Sequence, residues 1–271
     1  MTTLTPAATT VSLPTRASRA VHAEWTKLRS VRSHVAALVA TPILLVLLGA
    51  AMASMTVAAW DALAPEMRAD FEPVASSLSG IDLAQLVLGT LGVLLVTGEY
   101  GSGTIRATFA AVPQRPLLLG SKAAVFAVAA FVVSAVGCLA AFLIAQPILA
   151  EQDLNVGLGD PGVLRAVLGS ALYLTVAGLL GIGLAAILRH TAAAIGTLFA
   201  VLFALPLLAH FLPATISDRV VRYLPTNAGG AIAQLNPGPT DLAPWTGFAL
   251  FCAYAAATLF VGAVLANRRD V

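Results

Sequence analysis

Six stretches of this sequence, each 18 to 27 residues long, carry almost no charge: Val35–Ala59, Ile81–Gly98, Ala123–Leu149, Val163–Leu188, Ala192–Leu212 and Trp245–Ala266. A helix needs about 20 apolar residues to cross a hydrocarbon core of about 30 Å. A bilayer offers no water to exposed backbone groups, so such a run must satisfy its own hydrogen bonds as a helix. Ile81–Gly98 is the weakest of the six, because Asp82 stands near its start. Composition agrees: 59% of residues are hydrophobic and 10% charged, with a mean hydropathy of +0.90. A soluble domain carries about 45–50% and about 25%. These values argue against a soluble enzyme, a disordered chain and a nucleic-acid binder. The expected fold class is an all-α integral membrane protein with six transmembrane helices, in which 1–19 form a flexible cytoplasmic tail and 20–271 a single transmembrane domain.

Charge distribution orients the spans. Eleven of the fifteen basic residues fall on one side: Arg16, Arg19, Lys27, Arg29 and Arg32 before the first span, Arg106, Arg115 and Lys122 after the second, then Arg189, Arg268 and Arg269. The acids on that side are Glu24, Glu99 and Asp270. The other side carries Arg68, Arg165, Arg219 and Arg222 against ten acids. Basic residues mark the cytoplasmic face, so both termini are expected in the cytoplasm and the chain in the cell membrane. The first span reads as a retained anchor, since a signal peptide has a shorter core and a small-residue cleavage site. Cys138 and Cys252 lie in apolar stretches and read as small hydrophobes rather than a disulfide. The fourth and fifth spans are joined by a tight Arg189-His190-Thr191 hairpin. The last outer connection, Pro213–Pro244, has a mildly apolar middle at 227–235, which suits either a dip into the outer membrane face or a surface loop.

Two elements on the basic side have more character than loops. Val21, Trp25, Leu28 and Val35 recur at spacings that put them on one helical face, with Lys27, Arg29 and Arg32 mostly elsewhere on the wheel. An aromatic on the apolar side and basic residues opposite suit a helix lying flat in the membrane interface. A plain basic anchor that enforces topology is also compatible with the pattern. After the second span, Gly101 and Gly103 break the helix. Thr104 can cap a new one, in which Ile105, Phe109 and Val112 share a face, with Arg106 between them, and Pro113 ends it.

The Glu-Trp-x-Lys-Leu-Arg tract at 24–29, Glu-Tyr-x-x-Gly-Thr-x-Arg at 99–106 and Pro-x-Arg at 113–115 leading to Lys122 resemble permease subunits of bacterial type-2 ABC exporters. The six-span plan with its long last outer loop is also similar. The resemblance implies that residues 20–33 are an interfacial connecting helix and 104–112 a coupling helix that docks on a separate ATPase. It further implies that two permease subunits, alike or different, pair with two ATPases, and that the activity is export. The sequence bears on one implication directly. Phosphate-binding loops end in Gly-Lys-Ser/Thr, yet the only lysines, Lys27 and Lys122, do not follow a glycine. ATP hydrolysis is therefore expected in another polypeptide, and this chain is expected to be no enzyme.

Glu99 stands beside the membrane, where an ionised group is costly unless solvated or paired. It is expected to pair with Arg29, Arg32 or Arg106, or to be a solvated helix-terminal carboxylate. His210, between Pro206 and Pro213, lies near the outer end of a span that the prolines kink, facing either a path or the outer interface. Ala177, Gly181 and Ala185 permit close helix approach. Gln146, Tyr173 and Tyr254 are open as ligand contacts or interface residues. The scattered His22, His34, His190 and His210 give no metal-ligand spacing, so neither metal nor cofactor is expected; membrane lipid is an expected partner and nucleic acid is not. The rival readings are an ion-coupled secondary transporter and a non-transporting assembly factor or sensor. The first needs a titratable or ion-binding group near the bilayer midplane, and every charged side chain here lies at or outside a span end. Reporter fusions check the topology: tags at both termini and at 189–191 should report the cytoplasm, and tags at 61–72 or 151–160 the outer side.

Overall fold

The computed structural model describes residues 13–104, 114–209, 211, 213, 219–238 and 241–268. Among these there is no strand. Helix α1 (Leu13–Ser30) leads into α2 (Arg32–Ala59), and two short helices follow, at Pro65–Ala69 and Pro73–Ser77. Next come α3 (Ile81–Gly101), α4 (Arg115–Leu149), α5 (Val163–Leu188) and α6 (Thr191–Phe199), the last continued by π turns at Ala200–Ala204 and a helical turn at Leu205–Ala209. A short α7 (Pro225–Gly230) precedes the final α8 (Pro244–Arg268). Six segments are long and apolar enough to cross a membrane: Arg32–Ala62, Ile81–Gly101, Arg115–Gln152, Val163–Leu188, Thr191–Ala209 and Pro244–Arg268. Each matches one of the six apolar runs. The chain has the make-up of a multi-pass membrane protein.

The bundle is built around α5. Of its most apolar window 72% is buried, against 17% in α2 and in α8, and it packs on α3, α4, α6 and α8. Small residues bring these helices together. A Cβ on Gly92 would collide with the carbonyl of Gly178, and one on Gly181 with the carbonyl of Gly89. Ala177, Gly181 and Ala185 are all buried, so the small-residue row serves packing within the chain. Without a hydrophobic drive between helices in lipid, such close approach supplies the dispersion contacts that hold them. Cys138 is buried in the core, and neither it nor Cys252 forms a disulfide.

The fifth span departs from regular α-helix for a chemical reason. Pro206 has no N–H to offer the carbonyl four residues back and its ring crowds that oxygen. The helix passes into π turns just before it, and the released Leu202 carbonyl accepts a 2.6 Å hydrogen bond from Thr226 Oγ1. His210 lies outside the described residues. The segment at 225–233 is helical and buried at Ala228, Gly229, Ala231 and Ile232, which departs from a plain surface loop. It packs on α5 and α8, and Arg165 holds it by donating to the Ile232 and Gln234 carbonyls at 2.8 and 2.9 Å. Three polar residues with open roles are used internally. Gln146 donates to Ser77 and accepts from the Val156 amide. Tyr173 donates to Gln85, and Tyr254 to the Tyr223 carbonyl.

Replacing Gly92 by Ala overpacks the α3–α5 contact and should cost about 1–3 kcal/mol, read as a lower unfolding temperature in detergent. Gly196, whose added Cβ meets nothing within 4 Å, should accept Ala without loss.

Candidate functional site

Helix α1 and α2 are separated by one residue. Val31 is extended (φ −85°, ψ 116°); its N–H still closes onto the Lys27 carbonyl, and its own carbonyl accepts from His34 and Val35. Ser30 Oγ also donates to the Lys27 carbonyl, a local bond that competes with helix continuation. Residues 20–33, expected as one connecting helix, are divided: the first helix runs Leu13–Ser30, and Arg32 and Val35 belong to α2. The face that α1 turns to the bundle holds Ala20, Glu24 and Leu28, all buried, while Val21 and Trp25 are 41% and 43% exposed. The expected apolar stripe is thus divided. Leu28 enters the core, and Val21 and Trp25 stay on the surface.

A buried carboxylate on α1 demands a partner, because an uncompensated charge away from water costs several kcal/mol. Helix α4 supplies it. Its seven residues from Arg115 to Ser121 place Lys122 inside the helix, at the threshold of the apolar run, where its side chain is 5% exposed. Lys122 Nζ lies 2.6 Å from Glu24 Oε2 and 2.9 Å from Glu99 Oε1. Lys27 Nζ lies 2.8 Å from Glu24 Oε1 and 2.9 Å from the same Glu99 oxygen. Two carboxylates and two ammonium groups thus make an alternating, electrically neutral ring joining α1, α3 and α4. A lysine suits each cationic corner, since its compact ammonium offers three N–H donors and can serve two carboxylates at once. Burial alone would lower the Lys27 pKa, but its hydrogen bonds and attraction to Glu24 and Glu99 outweigh this and raise it above the usual 10.5. The sign follows: its share in stability is fully present below pH 10.5 and is lost only as pH rises through the folded pKa.

Other contacts fix the same end of the bundle. Arg115 donates to the Ala266 carbonyl at 2.6 Å and Arg189 to that of Leu265 at 3.3 Å, meeting the terminal acceptors that α8 leaves unpaired. The Arg189 guanidinium also lies 5.3 Å from the Tyr100 ring centroid. The α5–α6 hairpin is as tight as expected: Arg189 takes a left-handed turn, and His190 Nδ1 accepts from the Ala193 amide. Helix α3 ends at Gly101, and Gly103 has φ +71°, a left-handed conformation that glycine adopts without a Cβ penalty.

Beside the ring opens a cavity of about 460 Å3, lined by Lys27, Val31, Ser33, His34, Leu94, Leu95, Gly98, Glu99, Ser102, Thr104 and Lys122. Two buried atoms among these residues, Glu99 Oε2 and His34 Nδ1, have no hydrogen-bond partner among the described residues.

The partners of Glu99 differ from those expected. Arg29 and Arg32 are exposed, and among the described residues Glu99 pairs with Lys27 and Lys122 instead. The physical reason is reach: Glu24 and Glu99 flank the start of α4, where Lys122 sits between them. Gly103 and Thr104 stand at the cavity wall or next to it, with the Thr104 hydroxyl 2.8 Å from that of Ser102. Ile105, Arg106, Phe109 and Val112 lie outside the described residues. Sequence reasoning missed the Glu24–Lys122 pair. Its signal was a lysine immediately before a charge-free run, a position that asks for a named partner.

No protein-family model matches this sequence, and a search of curated proteins finds no relative. The ring is tested by a double-mutant cycle on thermal unfolding in detergent. Lys122→Met leaves Glu24 and Glu99 sharing the Lys27 ammonium alone and should cost about 3 kcal/mol, whereas Lys122→Met with Glu24→Met should recover part of it. Strictly additive losses would contradict the pairing.

Proposed function

We propose that this chain is the permease subunit of an ATP-driven exporter of the bacterial type-2 ABC class, acting with a separate cytoplasmic ATPase and a second permease subunit, alike or different. The observation that carries the reading is the Glu24–Lys27–Glu99–Lys122 ring, in which Glu24 and Lys122 are buried and Lys27 and Glu99 partly so. It clamps both helices that flank residues 104–112, the segment whose sequence resembles a coupling helix. Glu99 stands five residues before that segment and Lys122 ten after it. A push on 104–112 would load α3 and α4 at the ring, and Glu24 would pass the load to α1. Short, buried ion pairs transmit such a displacement, because stretching them exposes unpaired charge in a poorly solvated place.

In this reading both termini are cytoplasmic, in keeping with the eleven-to-four division of basic residues. Helix α1 then lies in the membrane interface, with exposed Val21 and Trp25 toward lipid and Arg29, together with Arg32 at the start of α2, toward headgroups and water. The lack of a Gly-Lys-Ser/Thr loop fits an engine carried by another polypeptide.

Affinity purification in mild detergent, followed by mass spectrometry, tests the assignment. A soluble ATPase should co-purify, Phe109→Asp should release it, and Glu99→Gln should leave it bound while uncoupling flux from ATP hydrolysis. Recovery of no ATPase, even after crosslinking in membranes, would overturn the exporter reading.

A further inference from the structure

We propose that the cavity beside the charge ring is a binding site for the headgroup of an aminophospholipid, a phosphate ester carrying a primary ammonium. The site lies at the boundary of the apolar spans, between the end of α3 and the junction of α1 with α2. That is the level at which headgroups sit beside a membrane protein. Its volume of about 460 Å3 falls in the range of about 300–1,000 Å3 that holds small ligands.

The lining divides by chemistry. The ring itself is neutral, so the site has no net charge to favour a simple anion or cation. Glu99 lines the cavity, and its Oε2 is a buried acceptor without a partner among the described residues; a turn of the carboxylate toward the cavity presents that oxygen to a donor. A primary ammonium supplies that donor. Lys27 directs its ammonium to two carboxylate oxygens, and 39% of its side chain is exposed. An ammonium carries three donors, so Lys27 can also meet a phosphate oxygen. Ser33 and His34 line the same space and can donate as well, through the hydroxyl and through a protonated Nδ1. Val31, Leu94 and Leu95 complete the wall and suit the glycerol backbone and first methylenes. A zwitterion of this kind answers both the orphan acceptor and the donors. Choline lipids do not, because a trimethylammonium has no N–H for Glu99. Anionic glycerol lipids fail in the other way, as they bring no cation. The site needs no ATPase and stands whether or not the exporter reading does.

Native mass spectrometry of the delipidated full-length chain in detergent, with added phosphatidylethanolamine, phosphatidylcholine or phosphatidylglycerol of matched acyl chains, tests this without nucleotide or partner. One lipid per chain should be retained, with phosphatidylethanolamine preferred about tenfold or more, the factor one charge-assisted hydrogen bond provides. Glu99→Gln should collapse the preference over phosphatidylcholine. Ser33→Trp, at an exposed position on the cavity wall, should block retention while leaving the unfolding temperature unchanged. Equal retention of the three lipids by the unaltered chain would overturn the proposal. Binding of soluble phosphoethanolamine as tightly as the lipid would overturn the membrane source and leave a soluble zwitterion as the ligand.

Discussion

One buried carboxylate sets much of the architecture at one end of this protein. Glu24, 2% exposed on its side chain, can stay ionised there only if cations come to it. Lys27 comes from its own helix and Lys122 from α4. Once Lys122 is drawn in, a second of its three donors is taken by Glu99 at the end of α3. Three helices distant in sequence are thereby fixed at a single point. The seam is polar where the rest of the bundle is joined by small apolar residues. Replacing such a ring by hydrophobic residues is often neutral for stability, whereas removing one member is costly. Its value therefore lies in specifying which helices meet and in what register.

The rest of the fold follows a different logic. In the spans there is little to drive helices together beyond close packing, so the contacts of α5 with α3 are made where glycine lets one backbone approach another's carbonyls. Polar side chains in this region are consumed by local needs. Gln146 ties α4 to the short helix at 73–77 and to the loop after α4, and Tyr173 reaches Gln85. The two regimes occupy different parts of the molecule: a dispersion-held bundle across most of its length, and an ionic clasp at one end.

Much of this was legible in the sequence, for reasons specific to lipid. Hydropathy finds spans well because the bilayer forbids most alternatives, and all six helices coincide with runs that carry at most one charge. The tight turn at 189–191 and the break at Gly101–Gly103 were written in local chemistry. What escaped was pairing. The four-residue spacing of Val21 and Trp25 suggested a continuous stripe through Val35, but Val31 and Ser30 end the helix first, and no periodicity reports such a local competition. Glu99 had nearby arginines to choose from. The lysines won through tertiary placement, which a one-dimensional reading of charge does not contain. Lys122 was visible as an oddity and carried its meaning only once Glu24 was seen to be buried.

Pro206 has a consequence for how the molecule is made. The carbonyl it releases, at Leu202, is satisfied by Thr226, 24 residues further along the chain. During synthesis the fifth span therefore enters the membrane with an acceptor that its own helix cannot fill. Its final shape waits until the following segment has been translated and has folded back against it. The order of translation thus becomes part of the assembly path: span five is provisional until the chain beyond it arrives, and the segment at 225–233 closes the bundle rather than decorating it.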